Sequence, residues 1–439
     1  MTRLNATLAR ARTFQRTEHG GATVWSLFLS ASMAMIGGYA VDVSNLMTSR
    51  TDLQIAADAA AHAALLSRET KSADEARTIG IEMAAVNLPV ESYGETVRPE
   101  DIVFGTWDRD TLQFTADENS KTAVQVTAWR HSQLDNPVPV YLLQLAGLDQ
   151  WDLQVVSVFE TYQPTCLREG FVAEEVVDVQ SNNSYSNGFC IHSNAHVSLN
   201  SNNYFEPGTV VSMPDLDDID LPNSGYETND GLQDALREGS WNIRIVNRIQ
   251  NIVDGLLAFD PEYLPDYITY PTAVTLPSNT VKQSNLVAGR LYRYTCNGGK
   301  RMTIDNNVVI SKVVLVTNCE IKFNQGVALE DAVVVTTNTG AKSMNSPGGL
   351  RLGKDDGCAP GNSAQLVTMG SVDIAADLYL FGAQILAKDN IQFAANANGV
   401  EGAALVAGGE ISGTSNMEMR YCGSGMEDNF EADYFRMVN

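Results

Sequence analysis

Positive charge is scarce in this chain of 439 residues: 29 Lys and Arg stand against 53 Asp and Glu, a formal net charge of −24. Four of the cations, Arg3, Arg10, Arg12 and Arg16, sit in an N-terminal arm with Glu18 as its one acid, so the remainder is more acidic still. Such a surface repels phosphates, which argues against nucleic acid as a partner. No block of like charge is long enough to read as a disordered acidic tail, and the acids suit a soluble, secreted surface. Signatures of catalysis are missing as well: there is no G-x-S-x-G, H-E-x-x-H, P-loop or G-x-G-x-x-G. None of the six cysteines forms a C-x-x-C pair, so neither a zinc ribbon nor a redox motif is indicated. No catalytic residue and no cofactor is expected.

What is present is a long apolar run. Between Gly20 and Met47 the one formal charge is Asp42, and Ala22 to Val41 is a stretch of 20 uncharged residues. At 1.5 Å per residue a helix of that length covers about 30 Å, the hydrocarbon thickness of a bilayer. The run is longer than the apolar core of a cleaved signal peptide and continues into Leu53, Ile55 and an alanine-rich segment. It therefore reads as a retained anchor. The arginines ahead of it keep the N-terminus in the cytoplasm, and the roughly 390 residues after it are translocated. Ser26, Ser30, Ala34, Gly38 and Asp42 recur every four residues and form a stripe of small side chains, a candidate contact for a partner helix or for self-association. Asp42 falls near the outer boundary, where a carboxylate reaches water.

The length suggests two or three domains, and the chain divides as a cytoplasmic arm (1–19), a transmembrane helix (20–47), a small α+β domain (48–165) and a β-rich extracytoplasmic domain (166–439). In the second part Leu46, Leu53, Ala56, Ala57, Ala60 and Ala64 line one side of a continuing helix. A second helix is expected over Ser72 to Val86, ending before Pro89. Alternating segments at 101–107, 122–129 and 153–159 supply an antiparallel sheet, with a short helix or strand-turn at 138–147. Beyond Cys166, Asn, Ser and Gly multiply, and β-branched runs recur at 308–317, 333–337, 366–374, 378–386 and 403–406. Short strands with Asn/Gly turns suggest a β-sandwich or a parallel β-solenoid. The solenoid is favoured, although no fixed repeat length emerges. A helical insertion at about 229–258 carries Ile245, Val246, Ile249, Ile252, Val253 and Leu256 at helical spacing.

All six cysteines lie on the translocated side, where an even count suits disulfides in an oxidising compartment. Spacing alone leaves connectivity open. Cys296 and Cys319 flank a strand pair with Asn297, Gly298, Gly299, Asn306 and Asn307 as turn signals, and are expected to bridge. Cys358 and Cys422 can meet if the final coils stack, which leaves Cys166 with Cys190. His192, Asn194 and His196 read as a solvated strand face opposite Ile191, Ala195 and Val197. Asp215, Asp217, Asp218 and Asp220 crowd one loop at a spacing open to calcium, without the glycine or terminal glutamate of an EF-hand. Asp355 with Asp356, or Asp373 with Asp377, are the acid pairs that a carbohydrate-cleaving cleft would use, and Asp355 and Asp356 lie in a turn.

The N-terminal stretch resembles TadG-like proteins of the tight-adherence (Flp) pilus system. The elements that carry the likeness are Gly21-Ala22, Val41-Asp42, Leu53-Gln54 and Ala56-Ala57-Asp58-Ala59-Ala60-Ala61. It continues more weakly through Gly105 to Asp108 and Val138 to Val140, up to Tyr162, about the first third of the chain. Related TadE-like pseudopilins carry a glutamate shortly after the leading glycine. Val24, Trp25 and Ser26 occupy that region here, so an unprocessed anchor is expected. Asp42-Val43-Ser44 begins like a von Willebrand A metal motif, and Leu46 breaks it. The resemblance implies a non-catalytic, single-pass inner-membrane component of a pilus or envelope apparatus, with other pilus-assembly proteins as partners and its bulk in the periplasm. The alternative is a membrane-anchored polysaccharide-active β-helix enzyme or an adhesin.

Overall fold

The computed structural model describes residues 19–298, 301–413 and 415–438. Residues 1–18 of the basic arm and Gly299 lie outside them. The chain forms two compact units, one reaching to Tyr162 and resuming at Asp433, the other running from Gln163 to Ala432.

The first unit is built on one helix, His19–Arg68, of 50 residues. Its two halves meet different surroundings. Trp25, Leu27, Phe28, Ile36 and Tyr39 are exposed, whereas Leu53, Ala56, Ala57, Ala60, Ala61, Ala64 and Leu65 are fully buried. Alanine suits the second half twice over: it has the best helix propensity, and its small side chain lets other elements come close. The second helix, Ala73–Asn87, starts from a capping box in which Ser72 and Glu75 satisfy each other's backbone N–H. At its Gly80, a Cβ would stand 3.1 Å from the Ala60 carbonyl and 3.1 Å from the Ala64 Cβ. The helices pack on an antiparallel sheet whose order is Gln113–Ala116, Ile102–Asp108, Ala123–Arg130, Leu153–Tyr162 and Tyr434–Met437. The last strand comes from the C-terminal end of the sequence. It is tied in by Glu160, a buried carboxylate that accepts from Arg109 at 3.1 Å and from Arg436 Nε at 2.7 Å.

The second unit is mainly β. Its ladders are all parallel. Register steps lie near 20 residues: Gly170 pairs with Cys190 and Cys190 with Val210, 20 residues each, Ala383 with Ala403, and Val313 with Ala332, 19 apart, while Arg290 to Val313 takes 23. Between Ala332 and Ala364 the step lengthens to 32, because the segment bearing Cys358 loops out. Followed along one ladder, the segments run Val274–Thr275, Arg290–Tyr294, Val309–Thr317, Ala328–Thr336, Ala364–Thr368, Val372–Ala387, Ile391–Ala407, Gly170–Ala173, Cys190–Ser193, Val210–Met213 and Leu236–Glu238. The chain thus enters the ladder part-way along at Gly170, winds to one end, crosses back through 239–273 and refills the ladder from the other end. Ala404–Ala407 then lie beside Gly170–Ala173.

That crossing segment explains why these strands are continuous apolar runs rather than alternating ones. One face of the ladder, with Phe171, Ile191, Leu315, Val334, Leu366, Ile385 and Leu405, lines the central core. The other face presents Val172, Val316, Val335, Val367, Leu386 and Val406 to Ile243, Ile249, Ile252, Val253 and Leu256. The crossing helix is Ile249–Ala258, preceded by the short turn Arg244–Asn247.

Candidate functional site

At the C-terminal end of the apolar helical run the structure brings Gly38 and Asp42 against the 138–147 loop. Asp42 is buried there. Its carboxylate accepts the backbone N–H groups of Tyr141 at 2.8 Å, Leu142 at 2.9 Å and Leu143 at 2.6 Å. These are the donors that open the 3-10 turn Leu143–Ala146, and orphan donors at a helical start take an anionic acceptor well. One turn earlier Gly38 is buried too, and a Cβ on it would meet the Leu142 Cβ at 3.0 Å. One turn later Asn45 donates to the Pro139 carbonyl at 3.1 Å. The stripe of small residues therefore divides. Ser26, Ser30 and Ala34 face outward, while Gly38 and Asp42 hold the 138–147 loop of their own chain. A carboxylate in contact with water at Asp42 is thereby corrected: backbone amides occupy it. Loop closure is the missing signal, because the partners are about 100 positions away.

The other motif residues have plain roles. Gly21 and Ala22 are exposed. Leu53 and Ala57 are buried against the sheet, with Ala59 beside them at intermediate exposure. Gln54 donates to Asp58 at 2.7 Å and to the Val156 carbonyl at 3.4 Å, fixing the helix to the strand Leu153–Tyr162.

In the second unit three disulfides are formed, Cys166–Cys190, Cys296–Cys319 and Cys358–Cys422, with Cα separations of 4.9, 5.3 and 5.8 Å. Asp215 caps the short turn Leu216–Asp218, accepting from Asp217 N–H at 2.9 Å, and Asp220 accepts from Ser198 at 3.1 Å. The four loop aspartates do not converge. Among the described residues the close group of three metal-type ligands is Cys358, Glu401 and Cys422, whose sulfurs are bonded to each other. Of the acid pairs, Asp373 is bound to Lys342 at 2.6 Å, and Asp356 accepts from Ala359 N–H and from Asn362 within one turn.

His192 departs from the solvated face expected of it. Cys190–Ser193 and Val197–Leu199 are separate strands with a bend between them, so the alternation restarts and Ala195 is exposed. His192 is fully buried in the same row as Val172, under the Trp241 ring at 4.1 Å between centroids. Its ring nitrogens meet Ser212 Oγ at 2.8 Å and Asn194 Oδ1 at 3.0 Å. Burial lowers its pKa below the ordinary 6.5, against the pull of Asn194 and Glu174. Asn194 also exchanges hydrogen bonds with the Trp241 backbone and donates to Glu174. This cluster latches the start of the crossing segment onto the ladder.

Among the described residues one helix, Gly21–Arg68, is long and apolar enough to cross a bilayer, and a mainly β unit follows it. The chain belongs to the family described as a domain of unknown function, DUF7867, whose model matches residues 170–423. Residues 20–76 match the model described as putative Flp pilus-assembly TadE/G-like. That stretch contains the exposed apolar run, Asp42, the alanine face and the start of the second helix. No curated protein and no solved structure matches the chain.

Proposed function

We propose that this chain is a non-catalytic component of tight-adherence pilus assembly. In this reading it is a single-pass protein of a bacterial inner membrane, with its N-terminus in the cytoplasm and its acidic β-rich unit in the periplasm. The observation that carries the reading is the coincidence of the TadE/G-like match with the helix that is apolar and exposed in its first half. An exposed row of Trp25, Phe28 and Ile36 is costly in water and favourable in lipid. Three disulfides suit an oxidising compartment on the far side of the membrane. We further read the β unit as a parallel β-solenoid: wholly parallel pairing with steps near 20 residues supports stacked coils over a sandwich, whose sheets are antiparallel. Of the acids proposed for a cleft, Asp356 is tied into a turn and Asp373 into an ion pair, which favours scaffolding over hydrolysis.

Removing the gene from the bacterium that carries it tests the role. Surface pili are expected to disappear while the pilin subunit is still made, and normal piliation would sink the reading. Complementation with Asp356→Asn and Asp373→Asn is expected to restore pili fully. Alkaline phosphatase fused after Val438 is expected to be active in the periplasm.

A further inference from the structure

The loop that Asp42 holds is unlike an ordinary connecting loop. From Asn136 to Leu148 it carries no formal charge. Leu145 is 94% exposed, with Tyr141 and Leu142 also open. Surface loops are ordinarily polar, and contiguous exposed apolar side chains mark an interaction surface. This one is fixed, not dangling: Asp42, Gly38 and Asn45 pin it to the helix, and Gln144 donates to the Val140 carbonyl. Most of its backbone donors have acceptors within the same unit. The amides of Tyr141, Leu142 and Leu143 go to Asp42, and those of Val140, Leu145, Gly147 and Leu148 go to carbonyls within 137–149.

We propose that the Tyr141–Leu145 loop is a second membrane contact, seated in the lipid interface of the outer leaflet beside the helix. The proposal rests on the reading of that helix as a membrane anchor. Lipid is the occupant because Gly38 and Asp42 hold the loop's apolar tip at the level of the helix where Tyr39 and Val41 are exposed, at the end of the uncharged run. Tyr39 and Tyr141 are the residue type enriched at that level of a bilayer. A loop can enter such a region only when its amides are satisfied from within, and the Asp42 carboxylate supplies that. The same contacts fix the depth of the loop to the helix, so the two would set how far the chain sinks and how it tilts.

The test uses the full chain reconstituted in vesicles of phosphatidylethanolamine and phosphatidylglycerol. An environment-sensitive fluorophore is placed on Leu145→Cys, on Met33→Cys within the span, or on Gln113→Cys on the edge strand of the sheet. Spin-labelled lipids then quench by depth. At Leu145 the emission should shift to the blue and be lost to shallow quenchers, at Met33 it should be lost to deep ones, and at Gln113 neither should occur. Quenching at Met33 without quenching at Leu145 overturns the loop contact and leaves the anchor standing. A blue shift at Leu145 with no lipid quenching assigns the loop to a protein partner or a second copy, and also overturns it. Absence of quenching at both Met33 and Leu145 removes the anchor reading and the loop contact together.

Discussion

Asp42 accepts the backbone N–H of Leu142 at 2.9 Å, 100 positions further along the chain, and Gly38 one turn away leaves room for the Leu142 side chain. The aspartate at the end of the apolar run is thus an acceptor for a turn, and the glycine a place for that turn to rest. Gly38→Leu puts a side chain where Leu142 lies, and Asp42→Ala leaves three amides without an acceptor. Either variant should insert normally, with hydrogen exchange at Tyr141, Leu142 and Leu143 faster by roughly tenfold or more. Unchanged exchange in both would show that the loop holds itself.

Gly80 in the second helix gives a prediction with opposing terms. Replacing an interior helical glycine by alanine adds about 1 kcal/mol of helix propensity. Here the new Cβ meets Ile102 Cδ1 at 2.9 Å and the Ala60 carbonyl at 3.1 Å, and a helix backbone oxygen cannot step aside. Overpacking of this kind costs about 1–3 kcal/mol. Gly80→Ala should therefore be net destabilising by ~1 kcal/mol, read as a lower denaturant midpoint of the detergent-solubilised chain. A raised midpoint would mean that the two helices separate at little cost.

The alanine face was legible because its period is local: Leu53, Ala56, Ala57, Ala60 and Ala64 state it within three turns, and all are buried. Ser72, Glu75 and Pro89 likewise mark the second helix, observed as Ala73–Asn87. The closing of the β unit was not legible, since Asn183 and Met417 meet across 234 positions and nothing near either residue announces the other. The 20-residue step was hidden by the long insertion before Ala364. His192 departs from its expected solvated face for a related reason. An alternation running through Asn194 to His196 is broken where the chain bends, and it restarts at Val197.

His192 should make the β unit sensitive to pH. Its pKa is lowered in the folded chain by burial under Trp241, so the folded state takes up its proton less readily than the unfolded one does. The sign follows: full stability is present above about pH 6.5 and is lost as pH falls through that value toward the folded pKa. Glu169, whose pKa burial raises, acts in the opposite sense: between its unfolded and folded pKa values, stability falls as pH rises. The difference between the natural chain and His192→Gln isolates the histidine. Between about pH 7.5 and 5.5 the thermal midpoint of the natural chain should fall more than that of the variant. Parallel curves would place the titration elsewhere.

A buried asparagine row offers the sharpest test of the stacking. Asn203 Nδ2 donates to the Asn200 carbonyl at 2.8 Å and to Asn229 Oδ1 at 3.0 Å. Its own Oδ1 accepts from Asn183 N–H at 3.0 Å, and Asn183 Oδ1 accepts from Met417 N–H at 3.0 Å. The row therefore runs across the place where the end of the β unit meets its beginning. Asn203→Ala leaves the Asn183 N–H and the Asn200 carbonyl without their partner, while Asn229 Oδ1 keeps the Asn203 backbone N–H, and each unpartnered group costs about 1–3 kcal/mol. A loss of ~3 kcal/mol is expected, with hydrogen exchange rising at Asn183 as well as at residue 203. The neighbouring Asn202 is the control. It is exposed and has φ of +63°, a conformation glycine adopts freely. Asn202→Gly should change stability by less than about 1 kcal/mol. If the two substitutions cost the same, the buried row does not hold the parallel strands in register.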